Sequence, residues 1–378
     1  MGAKKMKIIQ LITSINLGGA ENVAFNLSEF CQKDTSERFE FTIVEIFQSK
    51  NQYAQNKRKG LISKNIRIKT LFRGSKRISL LFAPFKLFFL LLKEKPQLVH
   101  SHTDLPDFVL GVVLKMYSFF SFKKPQIVRS IHNTELWSTH RSIGKFTESA
   151  FNDDFIVGVS DAALKAYQEI RESCKLSQSK NQQVIFNGCD IPKEEPIKLV
   201  IDSTKINIAF CGRFEYQKGI DILMERIVEI NNKHEKQIVF HLIGSGTYGE
   251  KLLDLSSQFS NIKIHGPIDK IANKLHVFDY LIMPSRFEGL GLMSLEASLA
   301  KLPIIAAIAP GLSETLPENW PLCFELNDSS SLLTIIDKLV NEEYNLDELK
   351  EQAFEFVSNK FSFENMIYKY SELYASIK

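Results

Sequence analysis

A chain of 378 residues with 44% hydrophobic and 24% charged residues has an ordinary globular composition and, at roughly 150 residues per domain, room for two domains. Its five cysteines, Cys31, Cys174, Cys189, Cys211 and Cys323, form no C-x-x-C pair, which argues against a disulfide framework or a zinc site and for a reducing compartment. The net charge of +3 conceals opposite halves: residues 1–193 hold 29 Lys and Arg against 17 Asp and Glu, whereas residues 194–378 hold 18 against 27.

The opening KIIQLIT reads as a first strand, because its apolar run is too short for a signal peptide and leads into TSINLGG. Gly18-Gly19 follow, then AENVAFNLSEFCQ, whose Val23, Phe25, Leu27 and Phe30 suit a helix with one apolar side. FEFTIVEIF, QLVHSH, QIVRSIHN, DFIVGVS and QQVIFNG read as buried strands, separated by helices over Leu80–Lys93, near Leu110 and from Asp161. Leu80–Leu92 is interrupted by Pro84 and Lys86, and Phe108–Phe122 holds Lys115, so neither reaches the about 20 apolar residues of a membrane span. Ile46–Lys93 contains 12 basic residues, among them Lys57, Arg58, Lys59, Arg73, Lys76 and Arg77, and no acid. Beside the aromatic FAPFKLFF this block fits a surface for anionic lipid, at about 1 kcal/mol per nearby cation, or a solvated basic face over an amphipathic helix.

After NGCDIPKEEPIKLVIDSTK the alternation restarts: INIAFCG, IVFHLIGSG, IKIHG, YLIMPS and LPIIAAI as strands, with GIDILMERIVEINNK, TYGEKLLDLSSQ, IANKLHVFD and Leu292–Leu299 as helices. Short buried strands between longer helices, in two halves of one kind, predict an α/β chain of two doubly wound domains linked near Pro192–Ser203. Ligands of such sheets sit outside the carboxyl ends of the strands, so the loops there hold the candidate chemistry.

INLGGAEN places Gly18 and Gly19 between a strand and a helix, where close backbone approach and free helix N–H groups suit an anion. It lacks the G-x-G-x-x-G spacing of a dinucleotide site, and a plain turn fits it as well as a phosphate cradle. CGRFEYQKG offers Arg213 and Lys218 at a strand end, two cations able to neutralise a diphosphate without metal, although an isolated pair of this kind is more often solvated. In SRFEGLGLMSLEAS, Glu288 and Glu296 flank a turn whose N–H groups at Gly289, Leu290, Gly291, Leu292 and Met293 open a helix and can bind phosphate oxygens. Acids beside an anion are repulsive unless they serve neutral hydroxyls, as on a sugar and a ribose; taken alone, a plain turn between two acids fits equally. His100 and His102 alternate on a strand end, and such residues are more often structural. Asp153-Asp154 resembles a carboxylate pair but reads as the start of a strand.

The ordered set LGGAEN, HSH (His100–His102), IHN (Ile131–Asn133), VSD, NGCDI, GRFEYQKGIDIL, LIGSG, HGPI and PSRFEGLGLMSLEASLAKLPIIA resembles the GT-B fold retaining glycosyltransferases of family 4 over essentially the whole chain. The resemblance implies two Rossmann-like domains facing a central cleft. These are an acceptor-binding domain over residues 1–195, completed by a C-terminal helix over 362–378, and a donor-nucleotide domain over 196–361. It implies that Arg213 and Lys218 hold the diphosphate, Glu288 contacts the donor sugar and Glu296 the ribose. His132 then sits beside the sugar, Gly18 and Gly19 line the phosphate and acceptor side, and Gly244, Gly246, Pro267 and Ile268 border the base. Gln97 and Asn133 depart from the aspartates common at those positions.

The implied activity is transfer, with retention, of a sugar from a UDP- or GDP-sugar to an acceptor hydroxyl. The acceptor expected is a lipid-linked, lipopolysaccharide or other surface-polysaccharide glycan in bacteria. No metal or cofactor is expected, in keeping with the lack of D-x-D, and no nucleic acid. The expected place is the cytoplasm, peripheral on the inner membrane through the basic N-domain. A sugar-nucleotide 2-epimerase of the same architecture and a non-catalytic sugar-nucleotide binding subunit are the alternatives. The E-x7-E pattern with GRFEYQKG favours transfer over the first, and intact Glu288, Lys218 and Arg213 count against the second.

Overall fold

Strands rich in Ile, Val, Leu and Phe, apolar on both faces, pair in parallel, and the amphipathic stretches between them form the crossover helices that parallel pairing requires. The computed structural model describes residues 5–16, 18–34, 38–74, 76–152 and 154–377, with the side chains of 32–34 and 76–79 left outside that description. Leu17 of LGGAEN, Asp153 of the acidic pair and the side chains of Lys76 and Arg77 therefore lie outside the described residues. The chain divides into two units, Met1–Asn187 with Glu364–Lys378, and Gly188–Phe363.

The first unit runs β1 (Met6–Ile12), α1 (Gly19–Asp34), β2 (Phe39–Phe47), α2 (Gln52–Ser63), β3 (Arg67–Phe72), α3 (Lys76–Glu94), β4 (Leu98–His102), α4 (Asp104–Phe119), β5 (Gln126–Ile131), α5 (Arg141–Glu148), β6 (Phe155–Gly158), α6 (Asp161–Ser173) and β7 (Asn181–Val184). Its seven parallel strands lie in the order β3-β2-β1-β4-β5-β6-β7. Alternation along β1 and β2 divides the apolar residues between the two faces. Ile9, Leu11 and Val44 pack with Leu87 and Leu91 of α3 and Val113 of α4. Ile12 and Ile43 pack with Phe25 of α1 and Leu61 of α2.

Gln10, in register with Ile43 on one side and His100 on the other, breaks the apolar run of β1 and is fully buried. Tyr374 covers this stretch, its ring edge-on to Phe39 at 5.9 Å. It belongs to α12 (Phe363–Ser376), most of which counts with the first unit.

The second unit runs β8 (Ile206–Arg213), α7 (Ile220–His234), β9 (Ile238–Ser245), α8 (Gly249–Gln258), β10 (Ile262–His265), β11 (Tyr280–Met283), α9 (Leu292–Leu299), β12 (Ile304–Ala307), β13 (Cys323–Phe324), α10 (Ser329–Val340) and α11 (Leu346–Lys360). Its sheet, also parallel, has the order β10-β9-β8-β11-β12-β13. The doubly wound α/β expectation holds in both units. IANKLHVFD is corrected from a helix to 3-10 turns over Ile271–Val277, within which Leu275 is the buried residue, so the segment has no repeated apolar stripe to bury as an α-helix. α2, β3 and α5 in the first unit and β13, α10 and α11 in the second went unread in the sequence. No described helix is long and apolar enough to cross a membrane.

On the α3–α4 face of the first sheet, Arg129 of β5 is 1% exposed and holds two acids. It donates to Asp107 from Nε at 3.0 Å and Nη2 at 2.8 Å, and to Glu148 from Nη1 at 2.9 Å and Nη2 at 2.7 Å. Its guanidinium stacks 4.1 Å from the Phe151 ring centroid. Removing one member of such a cluster strands the others in low dielectric. Arg129→Met is expected to lower unfolding stability by about 3–5 kcal/mol, read as the urea midpoint; an unchanged midpoint would show that the cluster contributes nothing.

Candidate active site

In the second unit the candidate residues gather at the carboxyl ends of β8, β9, β10 and β11. Buried Ile208, Ala209 and Phe210 anchor β8, which delivers Arg213 to its exposed end. One 3-10 turn, Tyr216–Lys218, leads to Gly219 at φ 64°. A Cβ there would stand 1.8 Å from the Pro284 carbonyl oxygen, so the conformation and the close approach both demand glycine. This approach joins the loop after β8 to the loop after β11.

Polar contacts complete the seam. Arg286 clamps Asp221 with two bonds of 2.7 and 2.8 Å and lies 3.7 Å over the Tyr216 ring. Gln217 accepts from Arg213 Nη2 at 2.8 Å and donates to the Phe287 carbonyl at 3.2 Å. At the centre, Lys218 Nζ donates to both oxygens of Glu288, at 2.6 and 2.8 Å. Glu288 is buried. Its Oε1 also accepts from Ser285 Oγ at 2.7 Å, and its backbone N–H is held by the Pro310 carbonyl at 3.0 Å. The expectation drawn from the motif assigned Lys218 to phosphate and Glu288 to hydroxyls; the structure brings them together as one ion pair. An ammonium has three donors, so two on Glu288 leave one for a ligand.

Gly289 and Leu290 lead to Gly291, the N-cap of α9, with Leu292 and Met293 as its first turn. Glu296, on the same helix, is half-buried, and burial pushes its carboxyl up to about 7. Burial, with Glu296 nearby, raises the Cys211 and Cys189 thiols, so neither is a ready nucleophile. Gly244, near the end of β9, packs on β8, where a Cβ would meet the Gly212 carbonyl oxygen at 1.8 Å. Gly246 is exposed in the following turn, and Pro267 and Ile268 follow β10, with Ile268 partly packed on the core.

In the first unit, Gly18 and Gly19 open α1, with the Asn22 N–H on the Gly18 carbonyl at 3.0 Å. His132 follows β5, and its Nε2 lies 3.1 Å from His102 Nδ1. Burial pushes His132 down to about 3 and holds His100 and His102 well below the usual histidine range, so all three rings are neutral. His100 and His102 do not alternate between faces, as the sequence reading had them: the period of two puts both on one face, ring centroids 4.0 Å apart. Asn133 is used locally, accepting from the Thr134 N–H at 2.9 Å and donating to the Glu135 carbonyl at 3.2 Å. Asp154 is buried 3.8 Å from Lys124. Sequence reading missed Gly219, Ser285 and the Arg286–Asp221 clamp. Only the glycine immediately before a helix signalled any of them. Among the described residues no group of three or more His, Cys, Asp or Glu could hold a metal ion.

Comparison with known proteins agrees with this geometry. Residues 205–342 match the family described as glycosyl transferases group 1. An uncharacterised glycosyltransferase of Methanocaldococcus jannaschii is 28% identical over 86% of this chain and 88% of its own length. An uncharacterised 41.2 kDa protein in the cps region of Klebsiella pneumoniae is 26% identical over 98% of this chain and 100% of its own. Among solved structures, HepE of Anabaena in complex with UDP-glucose superposes with a TM-score of 0.77 at 17% identity, covering 98% of this chain and 100% of that one. The chain is a glycosyltransferase of the GT-B fold, with its glycosyl transferases group 1 domain in the second unit.

Proposed function

We propose that the chain is a retaining, metal-independent transferase of family 4 type that moves a sugar from a nucleoside diphosphate sugar to a glycan hydroxyl. The observation that carries this reading is the buried Glu288 holding Lys218 at the carboxyl edge of the sheet, with Arg213 and the start of α9 on the same edge. Cations and helix N–H groups fixed before reaction stabilise a departing diphosphate more than the ground state. The acceptor hydroxyl attacks the anomeric carbon on the face the diphosphate leaves. The carbon–oxygen bond to phosphate breaks, its electron pair departs with the diphosphate, and a phosphate oxygen takes the acceptor's proton. Glu288, with lone pairs beyond those used by Lys218 and Ser285, takes a sugar hydroxyl, and Glu296 takes the ribose. Gly289–Met293 offer N–H groups to phosphate, and Gly18 and Gly19 serve the phosphate and acceptor side. His132 serves the sugar, and Gly244, Gly246, Pro267 and Ile268 border the base. The UDP-glucose complex of the Anabaena neighbour supports a UDP-sugar donor, and the relative from a cps region supports a polysaccharide acceptor.

An acceptor carried on lipid accords with the first unit's surface. Leu81, Phe82, Phe85 and Phe89 of α3 and Phe119, Phe120 and Phe122 at and just beyond the end of α4 are all exposed, and Phe89, Phe120 and Phe122 meet around Phe88. Arg73 and Lys86 stand beside them. Exposed aromatics with cations beside them suit an anionic bilayer surface.

Three measurements test these readings. Arg213→Ala removes an exposed side chain bonded to Gln217, so turnover is expected to fall about 100-fold with the melting temperature unchanged; near-normal turnover overturns the diphosphate role. The proton on Glu296 is held up to about 7, where an unstrained glutamate releases it near 4.5. Its ionisation therefore costs stability as pH rises between those values. Glu296→Gln should match wild type in melting temperature at pH 4.5 and exceed it at pH 8, while nucleotide affinity loses the part that strengthens through pH 7. A constant offset with pH would contradict this. In flotation, the protein should rise with anionic vesicles and not with neutral ones, and Phe85→Ser with Phe89→Ser should abolish it; indifference to lipid charge discards membrane docking.

A further inference from the structure

The strand order of the first sheet reverses between β1 and β4. Phe25 of α1, the helix after β1, packs on one face of that sheet, and Val109 and Val113 of α4, the helix after β4, pack on the other. The loops at the carboxyl ends of these two strands therefore part to opposite sides. This opens a crevice at the place where such sheets hold their ligands. Thr13 and Thr103 are the first residues beyond the two strands and are half-buried. Their hydroxyl oxygens lie 3.3 Å apart.

Thr103 is held there under strain. Its φ of 78° and ψ of 166° fall in a region essentially confined to glycine, and a β-branched side chain makes the departure harder. Thr103 is also the N-cap of α4, yet its hydroxyl makes no capping bond, where a threonine ordinarily satisfies an N–H of the first turn. The hydroxyl meets that of Thr13 instead. Among the described residues neither hydroxyl has a second hydrogen-bond partner. Whichever of the two donates, the other keeps its hydrogen, and lone pairs remain on both. In either direction the pair can donate to one ligand oxygen and accept from a ligand hydroxyl.

The surroundings decide the kind of ligand. Residues 8–22 and 98–114, which carry the two strand ends and their loops, hold no lysine or arginine but include Glu21, Asp104 and Asp107. His100 and His102 are neutral, and Arg129 of the neighbouring strand is already held by Asp107 and Glu148. Beyond β1 the polar groups are amides and a phenol: Asn51 Nδ2 donates to Asn16 Oδ1 at 3.0 Å, and Tyr53 OH donates to Asn22 Oδ1 at 3.3 Å. A phosphate or carboxylate would meet acids there with no counter-charge. A sugar hydroxyl finds neutral donors and acceptors.

We propose that the Thr13–Thr103 hydroxyl pair at this switch point seats the terminal sugar of the acceptor, and that this sugar is uncharged. Any phosphate of a lipid carrier then lies outside the crevice. The proposal rests on the reading above that the chain transfers to a glycan hydroxyl. Thr103 is the specificity-determining residue, strained because glycine, which fits the backbone, would bring no hydroxyl.

The test is saturation-transfer NMR on the full-length protein with the methyl glycosides of glucose, galactose, mannose and N-acetylglucosamine, set against glucose 6-phosphate and glucuronate. At least one neutral glycoside is expected to bind. Thr103→Gly, which keeps the backbone without strain, should weaken it about tenfold, as for one lost hydrogen bond, and Thr103→Ser should restore it. The two anions should give no signal that depends on Thr103. If Thr103→Gly does not fold, Thr13→Val removes the facing hydroxyl and should give the same loss. Binding of no neutral glycoside, wild-type affinity in both variants, or an anionic sugar whose binding depends on Thr103 overturns the proposal. The readout is binding and not turnover, so each of these leaves the transfer reading to its own test at Arg213.

Discussion

One ion pair organises the second unit's reactive edge. Glu288 is buried, and a buried carboxylate is expensive unless a cation meets it. Lys218 supplies that cation through two short bonds, and the requirement extends outward from there. Lys218 reaches its partner because Gly219 lets the loop after β8 lie against Pro284. The Arg286 clamp on Asp221 ties the loop after β11 to the first turn of α7, next to Gly219. The ammonium is thereby fixed in advance instead of swinging on a flexible stem, and preorganised charge of this kind needs little reorganisation when a leaving group develops.

The first unit keeps charge away from its own candidate residues. His100, His102 and His132 are neutral because burial disfavours the imidazolium, and hydrogen bonds to Gln10, Ser130 and Tyr374 join them. The opposite face of the same sheet buries full charges, with Arg129 against Asp107 and Glu148. Alternation along β5 makes the two regimes compatible, since Arg129 and Ser130 point to opposite sides. A charge-stabilised scaffold and a neutral polar site thus sit back to back without perturbing one another's composition.

The chain order of strands and helices was legible because apolar periodicity is a local property. KIIQLI, FEFTIVEIF and INIAF are short, buried and β-branched, and they could hardly form anything but interior strands. Where that signal thinned, reading failed: IANKLHVFD has too little of an apolar stripe to hold an α-helix, and Cys323–Phe324 is too short to announce itself as a strand. The positions of Arg213, Glu288 and Glu296 were legible as motif residues, yet their chemistry was only half visible. Lys218 and Glu288, read as two separate ligands for two parts of a donor, are first of all ligands for each other.

From the amino-acid order alone came the α/β class, the two doubly wound halves and the loops where chemistry gathers, since each follows from residues within a few positions of one another. Side-chain partnership belongs to the tertiary structure. Lys218 finds Glu288 across 70 positions, and Gln10 finds Tyr374 across 364. Bonds of this kind depend on where folded backbones bring a few polar atoms within 3 Å, and on which of those atoms water can still reach. Neither condition is encoded in the spacing of residues along the chain.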